Sequence, residues 1–171
     1  MHWLKWEKHC PVVLFERHPR YGIGRPDVLG ITARRYLIEI EIKESLSDFR
    51  ANKLKPYIAN RDNPLLTKEL ARFPKFFWYL VPAGLVDKIL PEVPVWAGLL
   101  RGPTEMECKG HIYAVKQAPA NTASEKLSAK ESVSFARLIG NQLYDTYMRL
   151  HNRSEMLMND INFTPANDYE I

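Results

Sequence analysis

Residues 36–43, YLIEIEIK, alternate without a break. Tyr36, Ile38, Ile40 and Ile42 fall on one side of an extended chain, and Leu37, Glu39, Glu41 and Lys43 fall on the other. A period of two over eight residues predicts a strand, and it lines up two carboxylates and an ammonium in one row. Just upstream, Pro26–Asp27 opens a second β-type run, Asp27–Thr32, separated from Tyr36–Lys43 by Ala-Arg-Arg, short enough for a hairpin. With Ala33–Arg35 as a three-residue loop, opposed residue numbers sum to 68, so Asp27 faces Glu41. Directly opposed residues share a face, with Cα atoms roughly 4.5–5.5 Å apart. A slip of one residue in the turn would put Asp27 on the wrong face.

Two carboxylates held that close repel each other unless a cation lies between them. Mg²⁺ and similar hard divalent ions take oxygen ligands, and one or two carboxylates completed by waters and a substrate phosphate suit them. Lys43 points to the same side as Glu41. Phosphodiester hydrolysis uses such a set: a metal polarises a phosphoryl oxygen and acidifies its water, while an ammonium orients that water and offsets developing charge. The competing reading of Glu39, Glu41 and Lys43 is a solvated strand face on a half-exposed sheet. Glu39 is expected at the rim of the site or just behind the ligands rather than among them.

The rest of the chain, 171 residues with 46% hydrophobic and 11% aromatic content, is long and apolar enough for one domain with a real core. No run approaches the length of a membrane span and the N-terminus carries no signal-peptide core, so an intracellular, cytoplasmic protein without a membrane partner is expected. Cys10 and Cys108 form no CxxC, and the five histidines show no zinc spacing. Gly22–Gly24 (GIG) is too short for a dinucleotide fingerprint. A short amphipathic segment with Trp3, Leu4 and Trp6 precedes a β-type run at Val12–Glu16. Ser45 or Ser47 can cap a helix through Asp48, Phe49 and Lys53, and a further helix is expected over Pro64–Phe73. Lys75–Val81 reads as a strand covered on both faces, with Phe76–Tyr79 in the core. One or two helical turns at LVDKIL and strands at VWAGLL and HIYAVK follow, and then the longest helical pattern, Lys130–Asn152. These elements predict an α/β fold, a central mixed sheet of five or six strands flanked by helices. The domain is expected to span residues 1–153, with a flexible acidic tail over 154–171, where four acids meet no Lys or Arg.

The net charge of +4 is unevenly spread: residues 1–61 hold 12 Lys/Arg against 7 Asp/Glu, while residues 62–171 hold 12 against 13. Positive charge gathers around the hairpin, which favours a polyanionic partner. Arg17, Arg20, Arg25, Arg34 and Arg35 are expected in loops beside the site, and Lys53 and Lys55 on the following helix.

The ordered set RPDVLGIT…YLIEIEIKESLSDFRANKLKPY, then KFFWYLVPAGL, then AGLL, resembles the PD-(D/E)XK nuclease superfamily and, within it, the MmcB-like group associated with DNA repair. The likeness covers Arg25 to about Leu100. It implies a restriction-endonuclease-like fold and a DNA-cleaving enzyme dependent on Mg²⁺ or Mn²⁺, acting in DNA repair, recombination or phage-type DNA processing. Asp27, Glu41 and the Ile42 carbonyl would hold the metal, and Lys43 would be the catalytic lysine. A further acid from the first helix is expected, with Glu7 as the candidate and Glu16 as its competitor. Arg25, Arg34, Arg35, Lys53 and Lys55 would contact the nucleic acid. A nucleic-acid-binding subunit on the same scaffold, with catalysis weak or lost, is the alternative. RNA as substrate and a homodimer both stay open.

Overall fold

The computed structural model describes residues 3–15, 26–52, 73–104, 106–107 and 111–162. Six strands form one mixed sheet in sequence order: β1 (Val12–Phe15), β2 (Val28–Ile31), β3 (Leu37–Ile42), β4 (Phe76–Val81), β5 (Gly98–Arg101) and β6 (Tyr113–Lys116). The β1–β2, β2–β3 and β5–β6 pairs are antiparallel, and β3–β4 and β4–β5 are parallel. Helices flank this sheet, so the expected α/β class holds. Among the described residues the α-helices are α1 (Leu46–Asn52), α2 (Val86–Ile89) and α3 (Ala129–Asn162).

The hairpin forms in the expected register. Val28 pairs with Ile40 and Ile31 with Leu37, so opposed numbers sum to 68. Its loop is closed by Arg35 N–H donating to the Thr32 carbonyl (2.8 Å) and Thr32 N–H donating to the Tyr36 carbonyl (2.9 Å). Arg35 sits in the left-handed region at φ 66°, the geometry a three-residue hairpin loop demands of its last residue.

Strand alternation sorts the core onto the two faces of the sheet. Val28, Ile38, Ile40, Trp78 and Leu100 pack under the N-terminal turn, where Trp3 and Leu4 are buried and Trp6 is exposed. That turn, Trp3–Glu7, is a single π-type turn, with Lys8 N–H donating to the Trp3 carbonyl at 3.2 Å. On the opposite face, Phe77, Tyr79, Val81 and Leu99 pack with Phe49 of α1 and Ile89 of α2. Of the aromatic run of β4, Phe77, Trp78 and Tyr79 are buried, as a strand with parallel neighbours on both sides requires, while Phe76 at its start is half-buried against the core.

The chain separates into two compact units, residues 1–132 and 133–171. The long helix α3 continues past residue 153 to Asn162, so the first part of the segment expected as a flexible tail has a helical backbone. Of the apolar positions at helical spacing along it, Phe135 is buried and Ile139 half-buried, but Leu143, Tyr147 and Leu150 are exposed. The helix expected over 64–73 lies, up to residue 72, outside the described residues.

Candidate active site

The row on β3 is buried. Glu39 is 2% exposed, Glu41 0% and Lys43 4%, which overturns the solvated-face reading and, of the two places expected for Glu39, rules out the rim and leaves the position behind the ligands. They lie on the face shared with Phe77 and Tyr79: Glu39 pairs with Phe77, and Glu41 with Tyr79. Taking ionisable groups out of water is costly unless they are paired and hydrogen-bonded. Here Lys43 Nζ donates to Glu41 Oε2 at 3.1 Å and lies 3.8 Å from Asp48 Oδ1. The ammonium thus sits between a fully buried carboxylate and a half-exposed one.

Asp48 is a member of this cluster that sequence reasoning missed. It comes to Lys43 because α1 starts directly after β3. Ser45 caps the helix, its Oγ accepting the Asp48 N–H at 3.1 Å, and Phe49 docks edge-on against Tyr79 with ring centroids 4.9 Å apart. The S-x-x-D spacing behind the strand was the available signal.

Asp27 stands one residue before β2, and extending the observed ladder places it opposite Glu41. Its Oδ2 accepts the Ile42 N–H at 2.7 Å. The Pro-Asp pair explains this local geometry. Lys43 N–H donates to the Leu80 carbonyl on β4, so the polar groups of its neighbour Ile42 point the other way, toward β2. Extending the same ladder puts Ile42 opposite Pro26, which has no N–H to return to the Ile42 carbonyl. The ladder is cut at that point. Asp27 takes over the Ile42 N–H, while the Ile42 carbonyl receives no ladder hydrogen bond from Pro26.

This donor set fits a hard divalent cation. It offers the Asp27 carboxylate, whose Oδ1 has no hydrogen-bond partner among the described residues, the Glu41 carboxylate and the open Ile42 carbonyl. All are oxygens, and two carboxylates suffice for Mg²⁺ or Mn²⁺ when water and phosphate complete the shell. Among the described residues no three His, Cys, Asp or Glu side chains gather as a metal group.

Other expected residues fall elsewhere. Glu7 ends the π-type turn, which packs on the face opposite Glu41, and its side chain is exposed there, on the wrong side of the sheet to join the two carboxylates. Glu16, Arg17, Arg20, Arg25, Lys53 and Lys55 lie outside the described residues. Arg34 and Arg35 are not beside the site. They sit in the loop at the other end of the hairpin, six residues along the chain from Glu41 to Arg35, or roughly 20 Å at strand rise. Folding into a hairpin necessarily sends the loop away from the open ends of its strands.

No protein-family model matches this chain, and no curated protein matches it. Among solved structures it is similar to the SPO1766 protein of unknown function from Silicibacter pomeroyi, at a TM-score of 0.52 and 20% identity over 86% of this chain and 84% of that one. That likeness is one of fold.

Proposed function

We propose that the protein is a metal-dependent nuclease that hydrolyses DNA phosphodiester bonds. The observation that carries this reading is the buried Glu41–Lys43 pair with Asp27 opposite it, at a point where the ladder is interrupted and a carbonyl left open. A core built for stability alone gains little from such a pair, because apolar residues of the same volume stabilise as well or better. A site for charge development at phosphorus uses every part of it.

Asp27, Glu41 and the Ile42 carbonyl would hold Mg²⁺ or Mn²⁺. When bound, the ion polarises the phosphoryl oxygen and lowers the pKa of its water. Asp27 fixes the Ile42 backbone through its 2.7 Å hydrogen bond, which aims the neighbouring carbonyl. Lys43 presents its ammonium beside the two carboxylates, placed to orient the attacking water and to offset the negative charge gathering on the phosphate. Asp48 flanks that ammonium on the more open side and restrains its position.

The test is cleavage of labelled single-stranded, duplex and branched DNA with Mg²⁺ or Mn²⁺. Wild type is expected to cut, EDTA to stop it, and Asp27→Asn and Lys43→Ala each to lose on the order of 100-fold or more. Asp27→Asn keeps an acceptor for the Ile42 N–H while removing the charge, so its loss would report on the ion. DNA that is bound but never cut under any of these conditions would leave a binding subunit in place of an enzyme.

A further inference from the structure

We propose that the loop end of the β2–β3 hairpin is a second, non-catalytic contact for the phosphate backbone of duplex DNA, built from Arg34, Arg35, Lys75 and Lys126 around Tyr36. The identity of the polyanion rests on the nuclease reading, whereas the surface itself stands on geometry.

Two ammonium groups converge on one ring. Lys75 Nζ lies 5.2 Å and Lys126 Nζ 5.5 Å from the centroid of Tyr36. The segments that bring them together are joined by backbone hydrogen bonds: Leu127 N–H donates to the Arg35 carbonyl at 2.9 Å, and Asn121 N–H to the Lys75 carbonyl at 2.8 Å. Lys75 Nζ donates back to the Asn121 carbonyl at 3.1 Å. The platform is therefore set by main chain, and the exposed side chains of Arg34, Arg35 and Lys126 are presented from fixed positions.

Among the described residues these cations are not neutralised. No carboxylate there lies within ion-pair distance of any of the four; Glu125, next to Lys126 in sequence, is exposed and pairs with none of them. Ordinary cation–π packing of a lysine on a tyrosine accounts for one such contact. It does not account for two on the same ring beside two arginines, an arrangement that charge repulsion opposes and a polyanion relieves. The left-handed residue of the loop adds a second indication. At φ 66°, Arg35 bears a conformational cost that glycine would not. An arginine held there against local preference points to use of its side chain.

The surface is roughly 20 Å from Glu41 along the hairpin, about six base pairs of duplex at 3.4 Å each. A contact so far from the reacting phosphate supplies affinity and no chemistry.

Fluorescence anisotropy with a labelled duplex of about 20 base pairs, in EDTA and between about 50 and 200 mM salt, tests it. The variant Arg34→Gln/Arg35→Gln/Lys126→Gln is expected to bind about tenfold or more weakly, with a salt slope reduced by roughly 0.9 for each phosphate it no longer neutralises. Its cleavage rate at saturating DNA should match wild type while KM rises. Arg34→Gln/Lys126→Gln leaves the strained loop position untouched, so it carries the same test should the triple variant melt early. Wild-type affinity and slope in a folded variant, or no DNA binding by wild type, overturns the proposal. The two readings fail separately. Binding that depends on these residues with no metal-dependent cleavage removes the nuclease and keeps the surface. Cleavage that needs Asp27 and Lys43, with DNA binding indifferent to the substitutions, does the reverse.

Discussion

Lys43 is the side chain on which the site turns, and its surroundings make a prediction independent of any substrate. Its ammonium is 3.1 Å from Glu41 in a place where neither group reaches water. Lys43→Met removes the cation and leaves Glu41 buried without it, a change that costs about 3 kcal/mol or more in comparable buried pairs. Urea denaturation of the metal-free protein should show that loss, and Mn²⁺ should recover part of it by taking the place of the missing positive charge. A second residue sets an acid limit. Arg101 donates two hydrogen bonds to Glu107, at 2.6 and 2.8 Å, and the Thr104 N–H a third at 2.8 Å; together they hold the Glu107 carboxyl down at about 2. A carboxyl depressed in the folded state stabilises above its unfolded pKa, and that contribution fades as pH falls through the folded value. Melting temperature should therefore fall less steeply from about pH 4.5 toward pH 2 in Glu107→Gln than in wild type. Equal slopes would show that the pair does not couple to folding.

At the scale of elements, the hairpin was legible because its information is local: a period of two and a three-residue loop leave one register that keeps both apolar sets together. The strand β4 was legible for the same kind of reason, since a continuous apolar run suits only a doubly covered strand. The helix α3 shows where locality misleads. Its spacing sets Phe135, Ile139, Leu143, Tyr147 and Leu150 in one series, yet only Phe135 is buried and Ile139 half-buried. Periodicity reports which positions share a face of a helix, not whether that face is covered. The packing of β4 on β5 yields a further prediction. Gly98 pairs with Trp78, and a Cβ there would come within 2.4 Å of the Trp78 ring and 2.7 Å of the Ala118 backbone nitrogen. The ring is buried among Trp3, Leu4 and Leu100 and has nowhere to retreat. Gly98→Ala should destabilise by about 1–3 kcal/mol, read as a lower urea midpoint; an unchanged midpoint would show that the indole can move aside.

For the whole molecule, the metal reading becomes a linkage statement. A ligand that binds only the folded state stabilises it by about 2.7 kcal/mol at 100 times its dissociation constant. For a chain of this size that corresponds to a rise of roughly 5–10 °C in melting temperature. Mn²⁺ should produce such a rise in wild type and none in Asp27→Asn, which keeps the Ile42 hydrogen bond and loses only the charge. Equal shifts in both proteins would place the ion elsewhere. Among the described residues no helix is long and apolar enough to cross a membrane.

What the sequence determined by itself was everything that short-range geometry can carry: the alternation of β3, the hairpin register, Asp27 opposite Glu41, and the capped helix behind Lys43. Pro26 belongs with these, because a missing N–H is a property of the residue wherever it sits. What only the tertiary structure decided required distant segments to meet. Burial of Glu39, Glu41 and Lys43 depends on segments beyond β3 packing on one face of the sheet, α1 through Phe49 among them, which turns a row that reads as solvated into an interior ion pair. Asp48 reaches Lys43 because Phe49 docks on Tyr79. Arg34 and Arg35, close to Glu41 in sequence, are carried to the far end of the hairpin, where they meet Lys75 and Lys126 from segments that sequence separation had kept apart. Side-chain identity and period are encoded locally, but the dielectric around a charge and the company it keeps are set by contacts between residues tens of positions apart.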